Sequence, residues 1–239
     1  MNPKTSYHYV RFQGDISGNF LSIFKPLMHK NEAGEGVVWN TVYSQYVRGE
    51  LTLGKTWRFG KDDRQAVATR LQAGAGLAYG NSNALPFEKH FYAGGANSMR
   101  GWQARTLGPG LSARDSSFVI PNQTGDMKLE ANVEYRFPLF WKFSGALFVD
   151  AGNVWNLKRQ AALSTEAELS YISGKTLWEG MAMNWGLGLR VDLDFLVVRV
   201  DWGLRLHDPA RGDGERWLSP GLWFRRDGYA LHFGVGYPF

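Results

Sequence analysis

Arg100 is the residue whose type and setting carry the most chemistry in this sequence. It stands in Met99, Arg100, Gly101 and Trp102, inside a stretch from Phe91 to Gly110 that also holds Gly94, Gly95 and Gly108. The apolar residues of that stretch follow neither a helical nor an alternating period, so it reads as a long loop. A cation beside a glycine and a large aromatic suits a tight tip that delivers one charge to a fixed partner. An exposed turn with an incidental arginine would fit the peptide equally well, and the surrounding strands must decide. Catalytic constellations are poorly supported. His8, His29, His90, His207 and His232 lie on separate segments without metal-ligand spacing, and no Gly-x-Ser-x-Gly elbow occurs. Glu130, Glu134, Asp192 and Asp201 could in principle pair for acid and base work, as in barrel lipases or proteases. Arg136, Arg190, Arg199 and Arg205 on the same segments favour a structural charge lattice instead. Gly74, Gly76 and Gly80 have the wrong interval for a dinucleotide fingerprint and precede no helix signal. No enzyme, metal or cofactor is expected.

The elements that would position Arg100 are strands. From Lys128 to Leu139 the odd residues Leu129, Ala131, Val133, Tyr135 and Phe137 are apolar, while Lys128, Glu130, Asn132, Glu134 and Arg136 alternate with them. Phe143 to Ala151, Trp185 to Leu193, Leu196 to His207 and Tyr229 to Phe239 repeat the pattern, as do Tyr7 to Phe24, Gln45 to Phe59 and Gln65 to Tyr79. That gives about eight strands. Long connections follow the first, third, fifth and seventh strands, and short ones follow the second, fourth and sixth. The third-strand connection is the loop 80–126. Outer-membrane barrels show this asymmetry, with short periplasmic turns and long outer loops. A soluble sandwich shares the alternation, but strand length and loop asymmetry favour the membrane. The apolar faces then meet lipid and the charged faces line a lumen. Glu134 and Asp150 fall on the lumen side of adjacent strands, so both carboxylates could converge on one inserted guanidinium. Trp57, Trp141, Trp155, Trp185 and Trp202 read as interfacial girdle residues.

Composition agrees. The 239 residues include 29 glycines, 10 tryptophans and no cysteine, with aromatics at 15% and charged residues at 21%. This is a poor match to a disordered chain, and it excludes disulfides and thiolate metal sites. The net charge of +5 comes from 27 basic residues scattered among 22 acidic ones, which argues against nucleic acid. No apolar run approaches the ~20 residues of a spanning helix, and Met1 to Thr5 does not look like a signal peptide. No linker divides residues 1–239, so one domain is expected.

Four motifs in order resemble the BamA and TamA outer-membrane assembly and translocation superfamily, the bacterial surface antigens. Met99 to Trp102 is similar to that family's Val/Ile-Arg-Gly-Phe/Tyr signature on an inward-folding loop, with Met and Trp as departures. Glu134 to Pro138 and Phe148 to Trp155 resemble the two following strand motifs, and His232 to Phe239 resembles the C-terminal β-signal. The resemblance implies the C-terminal half of a 16-stranded transmembrane barrel in the bacterial outer membrane. It implies that Arg100 meets Glu134 and Asp150 in a structural role. It also implies a seam at the last strand, with Gly234 and Gly236 able to loosen it and Tyr237 and Phe239 closing the signal. The implied partners are outer-membrane lipid, client β-barrel polypeptides, and either the N-terminal barrel half with its periplasmic repeats or a second chain. Secretion of a partner polypeptide, a membrane anchor and a passive pore are the alternatives, and a plugging loop argues against the pore.

Overall fold

The computed structural model describes residues 5–113, 123–158, 165–193 and 195–239. Asp194 and the middle of the loop 80–126 lie outside the described residues. Eight strands form one antiparallel meander: β1 (Tyr7–Ser17), β2 (Tyr46–Phe59), β3 (Gln65–Ala78), β4 (Met127–Pro138), β5 (Phe143–Trp155), β6 (Ala182–Asp192), β7 (Val197–His207) and β8 (Tyr229–Val235). Each strand pairs with its sequence neighbour. Among the described residues no pairing joins β8 back to β1, so the sheet is open. Short helical turns at Asn19–Ile23, Thr165–Ser170 and Gly174–Glu179 lie in the long connections.

The alternation seen in the sequence has a physical outcome. Val47, Leu51, Leu53 and Trp57 of β2 and Leu147 and Val149 of β5 are exposed on one face, while Glu130, Asn132, Glu134 and Asp150 are buried on the other. A water-soluble sheet would show the reverse, so the apolar face is the lipid face. No helix is long and apolar enough to cross a membrane. The end strands expose more than the inner ones: Phe12 of β1 and Phe233 of β8 are 74% and 73% exposed, against 42% for Leu147 in mid-sheet. Among the described residues each end strand is paired on one side only.

Aromatic residues gather at both ends of the outer face. At the short-turn end Phe59 stacks on Tyr135, and Tyr135 lies beside Phe137. At the long-loop end Trp185 packs edge-on to Trp223, and Trp202 meets Phe224 and Tyr229. These are interfacial belts. Trp155 departs from the expectation: it is fully buried, and its indole N–H donates to the Thr176 carbonyl at 2.9 Å beneath the β5–β6 connection.

Two strand limits also differ from the sequence reading. β1 stops at Ser17, not near Phe24, because Gly18 takes φ 76°, where a Cβ would lie 2.5 Å from the Ser44 carbonyl oxygen. β8 stops at Val235, because Gly236 takes φ 81° and its N–H donates to the Val197 carbonyl at 2.7 Å. The chain beyond it turns away from the sheet plane.

Candidate functional site: a guanidinium clamp in the lumen

Small residues prepare the lumen face to accept the loop between β3 and β4. A Cβ on Gly74 would meet the Phe91 ring at 2.5 Å, and one on Gly76 would meet Leu85 at 2.8 Å. On β7, a Cβ on Gly203 would lie 2.1 Å from the Arg100 carbonyl oxygen. The loop backbone therefore lies directly on the wall. Inside the loop, Gly95 N–H donates to the Trp102 carbonyl and Trp102 N–H to the Met99 carbonyl, which closes a tight tip around Arg100. Met99 and Trp102 seal it by packing with Phe91, Ala93, Leu107, Val154 and Ala182 in a dry cluster.

Arg100 is fully buried. Its Nε and Nη2 donate to the two carboxylate oxygens of Asp150 at 3.0 and 2.8 Å, its Nη1 donates to Glu134, and its backbone N–H adds a bond to Asp150 at 3.1 Å. The Phe148 ring lies 3.5 Å below the guanidinium carbon. This is a bidentate fork backed by cation–π contact, an arrangement lysine cannot reproduce. Burial alone would lower the pKa of Arg100, but Asp150 and Glu134 outweigh it and hold the group above its ordinary value.

Both acids are themselves held in place. Asn132 and Asn184 each donate to Asp150 at 2.9 Å, and Arg136 Nε donates to Glu134 at 2.8 Å while Arg190 lies 3.2 Å away. Arg190 and Arg199 share Asp201, each at 2.7 Å. Around the tip, Ser98 Oγ donates to Glu130 at 2.7 Å, Arg205 Nε to the Gly101 carbonyl at 2.9 Å, and Arg199 to the Ala96 carbonyl at 3.0 Å. Such groups are tolerable without water because nearly every one has a partner.

The structure thus brings together Met99, Arg100, Gly101, Trp102, Glu134 and Asp150. Gly234 also faces inward, beneath the Arg199 guanidinium. Tyr237 and Phe239 do not extend β8. They fold into the lumen, where the Arg136 guanidinium lies 4.3 Å from the Tyr237 ring and the Phe239 ring lies 5.1 Å from Arg70 and 5.8 Å from Arg100. The sequence reading missed His232, whose Nε2 lies 3.1 Å from the Arg100 carbonyl and can donate to it, and the two asparagines on Asp150. Strand parity could have found Asn132 and Asn184, since both share the lumen side of the acids. No group of histidines, cysteines or acids suited to a metal occurs among the described residues.

The family model that describes the Omp85 superfamily domain matches residues 30–239. The chain belongs to the Omp85 superfamily. It is 27% identical over 180 residues to the outer membrane protein assembly factor BamA of Neisseria meningitidis serogroup B, covering 65% of this chain and 22% of that protein. CdiB from Acinetobacter baumannii matches in structure with a TM-score of 0.46 and 17% identity, over 80% of this chain and 27% of that one. The chain therefore spans about a quarter of the length of these relatives. As an Omp85 domain it is an outer-membrane β-barrel wall of an assembly and transport family, not an enzyme. The short turns between β2 and β3, β4 and β5, and β6 and β7 then face the periplasm.

Proposed function

We propose that this Omp85 chain forms the C-terminal wall and lumen plug of a barrel that inserts client polypeptides into the outer membrane. The observation that carries the reading is the clamp: a loop tip is locked inside the lumen by a fully buried arginine on two acids of adjacent strands. A wall built to hold its own loop so firmly does not serve as an open pore. The work then falls to the outer edge of β8, which has no partner among the described residues and can template an incoming strand by main-chain hydrogen bonding. In this reading β1 joins the rest of the barrel and β8 forms the seam, with Gly234 and Gly236 as the positions where it loosens.

The test is to tether the loop to the wall in the full-length protein. This chain contributes no cysteine, so in a full-length protein freed of any other cysteine Ser98→Cys and Asn132→Cys form a pair that a cleavable bifunctional thiol reagent can join. Asn132 Nδ2 lies 3.1 Å from the Ser98 carbonyl, so the reach is short. Clients should still fold into proteoliposomes at the rate of the unlinked double variant. If linking abolishes activity and cleavage restores it, the loop must leave the lumen, and passage of polypeptide through the barrel becomes the better account.

A further inference from the structure

The outer face of this wall is apolar because it meets lipid, and one charge breaks the rule. By strand parity Lys55 on β2 is the single lysine, arginine or acid on the outer face of β1 to β8 among the described residues, and it is exposed. A cation facing lipid is disfavoured according to its depth, and an anion at that depth relieves it. Among the described residues the protein supplies none: the Lys55 ammonium lies 4.8 Å from the centre of the Trp57 ring and has no carboxylate partner. Across the ladder Lys55 stands opposite His8 on β1 and Thr69 on β3. Arg58 and Arg70 fall on the lumen side, and the β2–β3 turn sets Lys61 and Arg64 against Asp62 and Asp63. Residues 1–4, outside the described residues, contain a lysine and no acid. Beside Lys55 the outer face is recessed into a shallow groove of about 630 Å³ that crosses β1 to β4. That is three strand spacings, roughly 14 Å. The groove wall nearer the periplasm carries His8 and Lys55, and the opposite wall, Val10, Leu53, Leu71 and Ala131, is wholly apolar. Trp57 and Tyr135 of the periplasmic aromatic belt share the next outer row. The ammonium therefore sits at the depth where a lipid of the periplasmic leaflet carries its phosphate.

We propose that this groove holds one anionic phospholipid of the periplasmic leaflet, of the phosphatidylglycerol type. The Lys55 ammonium, held toward the interface by the Trp57 ring, pairs with the phosphate, and the His8 imidazole adds a second N–H donor. One acyl chain lies in the apolar part of the groove. A zwitterionic headgroup brings an ammonium of its own, for which this face offers no acid. The inference rests on the orientation of the wall in the membrane and stands whether or not the loop leaves the lumen.

The test is native mass spectrometry of the delipidated full-length protein in detergent. It is titrated with phosphatidylglycerol or with phosphatidylethanolamine of the same acyl chains, and inorganic phosphate forms a third arm. Lys55→Gln removes the charge, Lys55→Arg keeps it, and Ala131→Phe fills the groove without touching the charge. All three side chains point outward from the ladder, and heat-modifiable mobility checks that the barrel forms. Lys55→Gln and Ala131→Phe should each weaken one phosphatidylglycerol about tenfold, while Lys55→Arg should hold it within about threefold. The site lost in Lys55→Gln should prefer phosphatidylglycerol to phosphatidylethanolamine by at least about fivefold. Binding of phosphatidylglycerol unchanged in Lys55→Gln, or equal loss of both lipids in that variant, would overturn the proposal and leave Lys55 reaching water beside exchanging lipid. Binding unchanged in Ala131→Phe would overturn the groove as the acyl site. Phosphate bound through Lys55 with no lipid bound there would also overturn it, reducing the position to a small-ion site.

Discussion

Replacing Arg100 by alanine removes one guanidinium and leaves its two acids in unequal positions. Glu134 keeps Arg136 at 2.8 Å and Arg190 at 3.2 Å, whereas Asp150 keeps only the amides of Asn132 and Asn184. Asp150 is therefore the stranded charge. Removing one partner of a buried ion pair costs about 3–5 kcal/mol, and Arg100→Ala should fall in that range. Asp150→Asn is milder, since Arg100 retains Glu134 and the amide oxygen still accepts one bond, at about 2–3 kcal/mol. The double variant has no stranded charge left, so it should cost no more than Arg100→Ala alone, with a coupling of about 2–3 kcal/mol. Arg100→Lys should recover less than half of the loss, because an ammonium can neither fork onto Asp150 nor lie flat on Phe148. The assay is urea unfolding in lipid vesicles, followed by gel mobility and tryptophan fluorescence, with limited proteolysis of the loop 80–126 as a second readout. A cycle additive to within about 0.5 kcal/mol would refute the clamp as an energetic unit.

Gly203→Ala places a methyl where the Arg100 carbonyl oxygen now lies, so the loop should become protease-sensitive while the eight-stranded wall still forms. Retained loop protection with unchanged stability would contradict the close approach. Gly236→Val forces a β-branched residue into a left-handed backbone and should cost about 1–2 kcal/mol. It should also move Tyr237 and Phe239 out of the lumen, which a cysteine at position 237 would report through faster maleimide labelling. Asn81 holds the β1–β2 connection through bonds to both the N–H and the carbonyl of Gly36 and to the Tyr43 carbonyl, at 2.7–3.0 Å. Asn81→Ala should expose that connection to protease at little cost to the barrel, and a large loss of barrel stability would count against so local a role.

The wall was legible because a lipid-facing sheet must alternate and because outer-membrane turns are unequal in length. Glu134 and Asp150 were legible for the same reason: parity alone puts them on one face of neighbouring strands. Pairwise parity does not say which loop backbone lies against which glycine, so the role of Gly203 emerged only in three dimensions. The same limit hid His232, whose partner is a main-chain carbonyl and leaves no mark in side-chain chemistry. The end of β8 was misread because Tyr237 and Phe239 keep the alternation of the strand. One positive φ at Gly236 overrides that pattern and sends both rings inward. Trp155 was misread because girdle residues and loop-covered residues share a composition and differ only in what lies above them.

The lumen network also has a mechanical meaning. Its ties run from Arg70 on β3 through β4 to β7 and on to His232 on β8, all anchored on one loop tip. Tied in this way from within, a curved shell resists bending as a block, much as spokes stiffen a rim. β1 has few such ties: Arg11 and Gln13 are exposed on its inner side, and Asp15 reaches Arg48 and Lys89 only at 3.6 Å. Beyond Gly236, whose N–H bonds the Val197 carbonyl, the last strand leaves its ladder as well. Ties of this kind are densest in the middle strands, so a load on the wall deforms β1 and the end of β8 before it distorts the strands fastened to the loop tip.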